Sequence, residues 1–175
     1  NWHNYLNELG WCKLPREWII QLNQLTEVKD KNSRYGIYNV QSDGDCFFHV
    51  LCEALNTEFL SKLRMPKYDV KTLRVLAANE INKKNFQLIL ENYKIEFGES
   101  EFNGEWNPND IKTIGQLKKE IIKGGDNFWG DHILLQLLQK KLKLNIIILN
   151  SNCTVHPMAS LDLGENDKTI IIYYL

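Results

Sequence analysis

A cysteine directly follows an Asp-Gly-Asp sequence in the stretch SDGDCFFHVL, residues 42–51. Asp hydrogen-bonds its own backbone and Gly adopts positive φ without steric cost, so Asp43, Gly44 and Asp45 predict a tight turn. Gly44 would either take a positive φ there or let a substrate approach the backbone. Apolar residues then recur at three- and four-residue intervals, which predicts a helix from about residue 46. Cys46 is therefore expected in the first turn of a helix.

A thiol in that position is suited to nucleophilic attack. The helix dipole and the unpaired backbone N–H groups at a helix N-terminus favour the thiolate, which is the form that attacks carbonyl carbon. The turn before Cys46 also supplies N–H groups near the sulfur, and the small Gly44 would let a substrate carbonyl reach them, as an oxyanion hole requires. The alternative is that Cys46 is a small buried apolar residue and that Asp43 or Asp45 only caps the helix.

A thiol nucleophile also needs a base, and the chain has four histidines. His49 is three residues after Cys46, but the helix directs its ring along the helix flank, so we expect a structural role for it. His132 opens a predicted helix, where it would cap the helix or line the rim of the site. His156 falls between the last two predicted strands, and His3 is near the first residue.

The elements that position these residues are read from apolar spacing. The segment 91–110 has weak periodicity and several Gly, Asn and acidic residues, which predicts a long loop. The segments 144–149 and 168–175 are apolar without polar alternation, as expected for strands buried on both faces. Helices around a small sheet predict an α+β domain. The predicted helices lie near 15–25, 46–56, 70–81, 86–93, 111–121 and 133–138, with a further strand at 35–40.

Composition limits the classes of function. At 175 residues, 43% of them hydrophobic, the chain is expected to form a single domain over residues 1–175 with a substantial core. A net charge of -1 gives no reason to expect a nucleic-acid or membrane partner. The sequence has neither an apolar run long enough for a membrane span nor a signal peptide, so we expect an intracellular, cytoplasmic protein.

The four cysteines favour a reducing compartment. Cys12, Cys46, Cys52 and Cys153 form no C-x-x-C pair and have no histidine at metal-ligand spacing, which argues against a zinc module and against a disulfide framework. A redox or metal-binding role is therefore poorly supported, and we expect no metal site and no cofactor.

Three stretches taken together resemble the OTU (ovarian tumour) family of cysteine proteases. DGDCFFHVLCEAL, from Asp43, is similar to the family's Asp-Gly-x-Cys signature, and a predicted strand precedes it as in the family. VKTLRVLAANEI, 70–81, is similar to the Leu-Arg helix that follows, and FWGDHILLQLLQKKLKLNIIIL, 128–149, to the Trp-Gly helix and its strand. The resemblance covers Ile37 to Leu175 in order and implies a small mixed β-sheet packed between helices. Residues 1–36 would be a helical extension outside the match.

The resemblance implies a deubiquitinase, a thiol hydrolase that cuts the isopeptide or peptide bond after the C-terminal Gly of ubiquitin. Its partners would be ubiquitin or polyubiquitin and, in some members, ubiquitin-like modifiers. Cys46 would be the nucleophile, and the backbone around Asp43, Gly44 and Asp45 would hold the oxyanion, with Asp43 fixing the shape of the turn. The resemblance implies no metal or organic cofactor.

Trp129 and Gly130 would help to form the narrow channel for the Gly-Gly tail of ubiquitin. Trp129 could equally anchor the start of its helix in the core. The acidic segment 91–110 could meet the arginines of a ubiquitin tail, or it could simply be solvated.

In the family that this chain resembles, the base is a His just past the final apolar strand, with a nearby Asn or Asp orienting the ring. The sequence given ends with that strand, at Leu175, so we expect the domain to be incomplete at its C-terminal end. We expect the natural protein to continue with a short turn and a catalytic His. The alternative is an inactive OTU-like module that binds ubiquitin without cutting it.

Overall fold

Both helices and strands occur in the residues that the computed structural model describes, which are 7–25, 36–61, 65–152, 154–155 and 168–174. This mixture confirms the coarse α+β prediction. The described α-helices are α1 Arg16–Leu25, α2 Cys46–Ser61, α3 Val70–Asn79, α4 Phe86–Gly98, α5 Ile114–Lys123 and α6 His132–Leu142. The described strands are β1 Trp11–Lys13, β2 Gly36–Tyr38, β3 Leu144–Asn150 and β4 Lys168–Tyr174.

Each helix predicted from apolar spacing is present within a few residues of its expected position. Pro15 directly precedes α1, where its missing N–H costs no helical hydrogen bond. The strand predicted at 35–40 is observed as β2, although Tyr35 lies outside the described residues. The side chain of Leu25, at the end of α1, also lies outside them.

The described residues belong to two compact units. The first comprises the described parts of Asn1–Val40, Ile147–Ala159 and Ile171–Leu175. In it β1 pairs antiparallel with β2, with Trp11 opposite Tyr38. The second comprises the described parts of Gln41–Ile146 and Ser160–Ile170, and it contains the candidate catalytic residues. The single domain expected over residues 1–175 stays a prediction.

A small apolar core and one buried indole hold the first unit together. Leu14 and Trp18 pack with Leu149, and Ile37 lies against this cluster. The indole Nε1 of Trp18 donates to the Asn150 carbonyl at 3.0 Å, which satisfies the polar atom of an otherwise buried ring.

The helix α3 is central to the second unit, where it packs against α2, α5 and α6. Its buried face presents Leu73, Arg74, Ala77 and Ala78, so three small or apolar residues surround one buried cation. The neighbouring helices contribute apolar side chains that are almost fully buried, namely Phe48, Leu51, Leu117, Ile121, Leu134 and Leu138. This packing positions Arg74 in the core beneath the start of α2.

An aromatic cluster follows α3 along the chain and corrects the prediction for 91–110. The helix α4 continues to Gly98, and Phe97 in its last turn packs edge-to-face on Phe102 with ring centroids 6.0 Å apart. Tyr93 is fully buried and packs edge-to-face on Phe128 with ring centroids 5.3 Å apart. Phe102 and Trp106 complete the cluster at a centroid separation of 4.9 Å and anchor the irregular chain that follows. The long loop expected from residue 91 is therefore wrong for residues 91–98.

The strands β3 and β4 pair in a two-stranded sheet. Burial along most of β3 confirms the expectation of a covered strand. The expectation is wrong for β4, where Ile172 is buried but Ile171 is 55% exposed. Neighbouring side chains of a strand point to opposite faces, and Tyr173, on the face opposite Ile172, packs against the cluster of Leu14, Trp18 and Leu149. The described residues therefore cover each face of β4 only in part. None of the described helices is long and apolar enough to cross a bilayer.

Candidate active site

Cys46 is the first residue of α2, which confirms the predicted helix start. The Cys46 N–H donates to the Asp43 carbonyl at 3.0 Å, and the His49 N–H donates to the Asp45 carbonyl at 2.9 Å. The first of these bonds closes the turn, and the second begins the helix. The Cys46 side chain is partly exposed and its thiol is free.

The Asp43 side chain closes the turn a second time. Its Oδ1 accepts a hydrogen bond from the Asp45 N–H at 2.9 Å, the side-chain-to-backbone contact typical of Asp in turns. The N–H groups of Asp45 and Cys46 are thus engaged inside the turn. Among the described residues, the Gly44 N–H has no hydrogen-bond partner. Of the three donors, it is the one without a partner inside the turn, and Gly44 itself is buried.

Gly44 is needed for a different reason from the expected positive φ. Its φ lies outside the left-handed region, whereas Gly124 and Gly125 have φ values of 73° and 58°. A Cβ on Gly44 would lie 2.3 Å from the carbonyl oxygen of Gly125, which is far inside contact distance. The glycine therefore permits the close approach of two backbone segments.

The Asp45 carboxylate ties the turn to the rest of the second unit. Its Oδ1 accepts from the Nε of Arg74 at 2.6 Å and also contacts Nη2 of the same guanidinium. Its Oδ2 accepts from the Gly125 N–H at 2.9 Å. These bonds hold the residue before Cys46 in one position.

Arg74 makes further contacts around this carboxylate. Its Nη1 donates to the Ile121 carbonyl at 3.0 Å and its Nη2 to the Phe128 carbonyl at 2.7 Å. The guanidinium carbon lies 4.2 Å from the ring centre of Phe48, a cation–π arrangement. The side chain of Arg74 is 1% exposed and is therefore shielded from water, whereas the Asp45 side chain is 20% exposed.

The candidate site residues named from the sequence do not include Arg74 or the Gly124–Gly125 pair. A signal for Arg74 is present, because the residue shares a helix face with Ala77 and Ala78, where an unpaired charge would be costly. The glycine pair in KGGDNFWG also marks a turn that requires positive φ. Neither signal names the partner, because Asp45 is 29 residues away from Arg74 along the chain.

The thiol of Cys46 is harder to ionise than an ordinary cysteine. Burial is the largest effect on the pKa of the Cys46 thiol, and it raises that pKa. The backbone N–H of Phe47 lowers the pKa, whereas the carboxylates of Asp43 and Asp45 raise it further. The net pKa is above the ordinary value. The helix start does favour thiolate as expected, but burial and the two carboxylates outweigh it.

The described histidines do not contact the thiol. His49 directs Nε2 toward Asp43 Oδ2 at 3.5 Å. His132 is the first residue of α6, and its Nδ1 lies 3.8 Å from Glu96 Oε1. The cap of α6 is Asp131 rather than His132, because Asp131 Oδ1 accepts the Leu134 N–H at 2.8 Å. His3 and His156 lie outside the described residues, as does Cys153.

Trp129 and Gly130 follow the aromatic cluster. The Trp129 N–H donates to the Asn103 carbonyl at 3.1 Å, and its indole is 47% exposed. Phe128 fills the core instead, so the alternative in which Trp129 anchors the helix start is wrong. A Cβ on Gly130 would lie 2.7 Å from the ring of Phe47, which is the residue after Cys46. The chain at 129–130 therefore passes beside the start of α2.

Among the described residues, two buried polar atoms near the start of α6 have no partner at good hydrogen-bond geometry, namely Asp131 Oδ2 and the Tyr93 hydroxyl. The two groups nevertheless lie near enough for the Tyr93 hydroxyl to interact with the Asp131 carboxylate. Burial raises the pKa of Asp131, and it raises the pKa of Tyr93 well above its ordinary value. Burial also raises the pKa of Glu96, with Asp131 adding to the effect.

Within the described ranges, no three His, Cys, Asp or Glu side chains are arranged to hold a metal ion. No protein-family model matches the chain, and no curated protein matches its sequence. The candidate function is therefore argued from the residues around Cys46 and from the three sequence stretches that resemble the OTU family.

Proposed function

We propose that the protein is a cysteine-type deubiquitinase with an OTU-type fold. One observation carries the proposal, namely that Cys46 begins α2 directly after a turn closed by Asp43. A helix start offers N–H groups to a thiolate and to the oxyanion that forms on a carbonyl. The order of DGDC, the Leu-Arg helix and the Trp-Gly helix along the chain supports the same assignment.

In the proposed reaction, a base removes the Cys46 thiol proton and the sulfur attacks the carbonyl carbon of ubiquitin's last glycine. The carbon–nitrogen bond breaks, and the leaving amine takes the proton from the base. Water then hydrolyses the thioester, which releases the ubiquitin carboxylate and restores the thiol. The Gly44 N–H is the proposed donor to the oxyanion, and the exposed indole of Trp129 with Gly130 would line the path of the Gly-Gly tail.

The raised pKa of Cys46 makes a base necessary for this reaction. At neutral pH the thiol is protonated, so the rate depends on an imidazole that takes the proton. The resemblance implies a histidine base that comes from outside α2, with an Asn or Asp orienting it.

The test is incubation with ubiquitin that carries a thiol-reactive warhead at its C-terminus, followed by peptide mass spectrometry. We expect one adduct on Cys46, and none with Cys46→Ala. Cys52→Ala is the matched control, since Cys52 lies on the same helix and its removal should leave the adduct unchanged. Labelling of Cys12, Cys52 or Cys153 in the folded protein, or no labelling at all, would contradict the proposal.

The second candidate is an OTU-like module that binds ubiquitin without cutting it. Its support is that no imidazole among the described residues contacts Cys46, whose pKa is raised. Titration with unmodified ubiquitin separates the two candidates. Binding without adduct formation or diubiquitin cleavage by the full-length protein would establish the module. Failure to bind ubiquitin would overturn both.

A further inference from the structure

The guanidinium of Arg74 lies between two segments of the candidate active site. It bonds the Asp45 carboxylate, and its Nη2 reaches the Gly44 carbonyl at 3.4 Å. The same Nη2 donates to the Phe128 carbonyl at 2.7 Å, immediately before Trp129. Because the side chain is buried, water cannot replace these donors without opening the core.

We propose that Arg74 is a positioning residue for Cys46, which holds the 43–45 turn against the Phe128–Gly130 segment and balances the Asp45 charge beside the thiol. The inference deepens the proposed function and rests on it, since it takes Cys46 as the nucleophile. A guanidinium suits this task because its rigid, planar set of donors bonds several acceptors at once, whereas lysine presents a single point charge.

The charges around the thiol support the electrostatic part of this role. Asp43 and Asp45 both face Cys46, and His49 faces Asp43 from the same helix. Arg74 bonds Asp45 and also interacts with the carboxylates of Asp131 and Asp43. Removing the guanidinium would leave Asp45 as an uncompensated anion next to the sulfur, which disfavours the thiolate.

The test is the pH dependence of Cys46 alkylation by iodoacetamide, with each cysteine followed by peptide mass spectrometry. We expect Arg74→Met to move the midpoint for Cys46 upward by about one pH unit. Simple loosening of the structure would expose the thiol and move the midpoint downward, because burial is the largest cause of the raised pKa. The direction of the shift therefore separates the two roles.

Cys52 provides an internal control for that measurement. Burial raises the pKa of Cys52 to about 11, with contributions from Asp69 and Glu53, neither of which bonds Arg74. Its alkylation should therefore be unchanged in Arg74→Met. The matched surface variant is Lys141→Met, which removes a cation paired with Glu80 just after α3 and should leave Cys46 unaffected. If Arg74→Met does not fold, Arg74→Gln is the second neutral variant and carries the same expectation.

Arg74→Lys separates charge from geometry. We expect its alkylation midpoint to stay near that of the wild type while its reaction with the ubiquitin warhead slows at least about tenfold, because the carbonyls of Gly44 and Phe128 lose their donor. An unchanged or lowered midpoint in the neutral variant, or a wild-type warhead rate in Arg74→Lys, would overturn the inference. If the wild type ignores the warhead, the proposed function fails, but the alkylation measurements still decide the role of Arg74.

Discussion

At the scale of single residues, glycine is required at position 44 because the backbone of Gly125 lies against it, and not because of the φ angle of Gly44. The sequence indicates a turn at Asp-Gly-Asp, and this local prediction is confirmed by the hydrogen bond between Asp43 and the Asp45 N–H. The reason for the glycine could not be read locally, because Gly125 lies about eighty residues further along the chain. A substitution at Gly44 must therefore affect folding as well as chemistry.

We predict that Gly44→Ala lowers the free energy of unfolding by about 1–3 kcal/mol, because its Cβ would collide with the backbone of Gly125. Adduct formation at Cys46 should fall with it, since the turn must move. Gly98→Ala is the matched control, because nothing lies within 4 Å of a Cβ at the end of α4. Chemical denaturation of both variants gives the comparison. Wild-type stability in Gly44→Ala would show that the close approach is absent.

At the scale of helices and strands, apolar periodicity predicts where α1 to α6 lie but not which turns lock them together. The helix at α3 follows from the spacing of Leu73 and Ala77, whereas the role of Arg74 depends on Asp45 from another element. The end of α4 is missed for a similar reason, because Phe97 in its last turn packs on Phe102, which in turn stacks on the distant Phe128. Long-range packing decides both features.

The start of α6 gives a prediction at this scale. Asp131 caps the helix through Oδ1, but its buried Oδ2 has no partner at good hydrogen-bond geometry in the described part of the chain and lies near the Tyr93 hydroxyl. Asp131→Asn keeps the capping oxygen and places an N–H₂ group near the Tyr93 hydroxyl, so we expect no loss of stability at neutral pH. Asp131→Ala removes the cap and should cost about 1 kcal/mol in the free energy of unfolding.

The pH dependence of the unfolding free energy distinguishes a buried Asp131 carboxyl from a side chain that only caps the helix. Burial raises the pKa of Asp131 in the folded protein, so the folded state binds the proton more tightly than the unfolded state. The stabilisation that comes from this tighter proton binding is complete below the ordinary pKa of an Asp side chain. It is lost as the pH rises through the pKa of Asp131 in the folded protein. The wild type should therefore gain stability relative to Asp131→Asn between neutral pH and about pH 4. A constant difference in unfolding free energy over that range would contradict the buried carboxyl.

At the scale of the whole molecule, the three described cysteines differ in their environments, and this allows a final test of the site. Cys12 is exposed, Cys46 is partly buried beside two carboxylates, and Cys52 has a pKa of about 11. A small alkylating reagent reacts with the accessible thiolate fraction. We therefore predict that iodoacetamide modifies Cys12 first, Cys46 more slowly and Cys52 last, as followed by peptide mass spectrometry at mildly alkaline pH.

A ubiquitin warhead should reverse the order of the first two cysteines, because binding of the ubiquitin tail delivers the reactive group to one thiol whatever its intrinsic reactivity. Cys46 would then be labelled while the more exposed Cys12 is not. The comparison needs no knowledge of the base, since each reagent reports the order of labelling within one protein sample. If both reagents label Cys12 before Cys46, reactivity follows exposure alone and Cys46 has no bound substrate directed toward it. An enzyme that recognises ubiquitin through this turn should let the ubiquitin reagent, but not iodoacetamide, label Cys46 before Cys12. In Cys46→Ala the ubiquitin reagent should then label neither position.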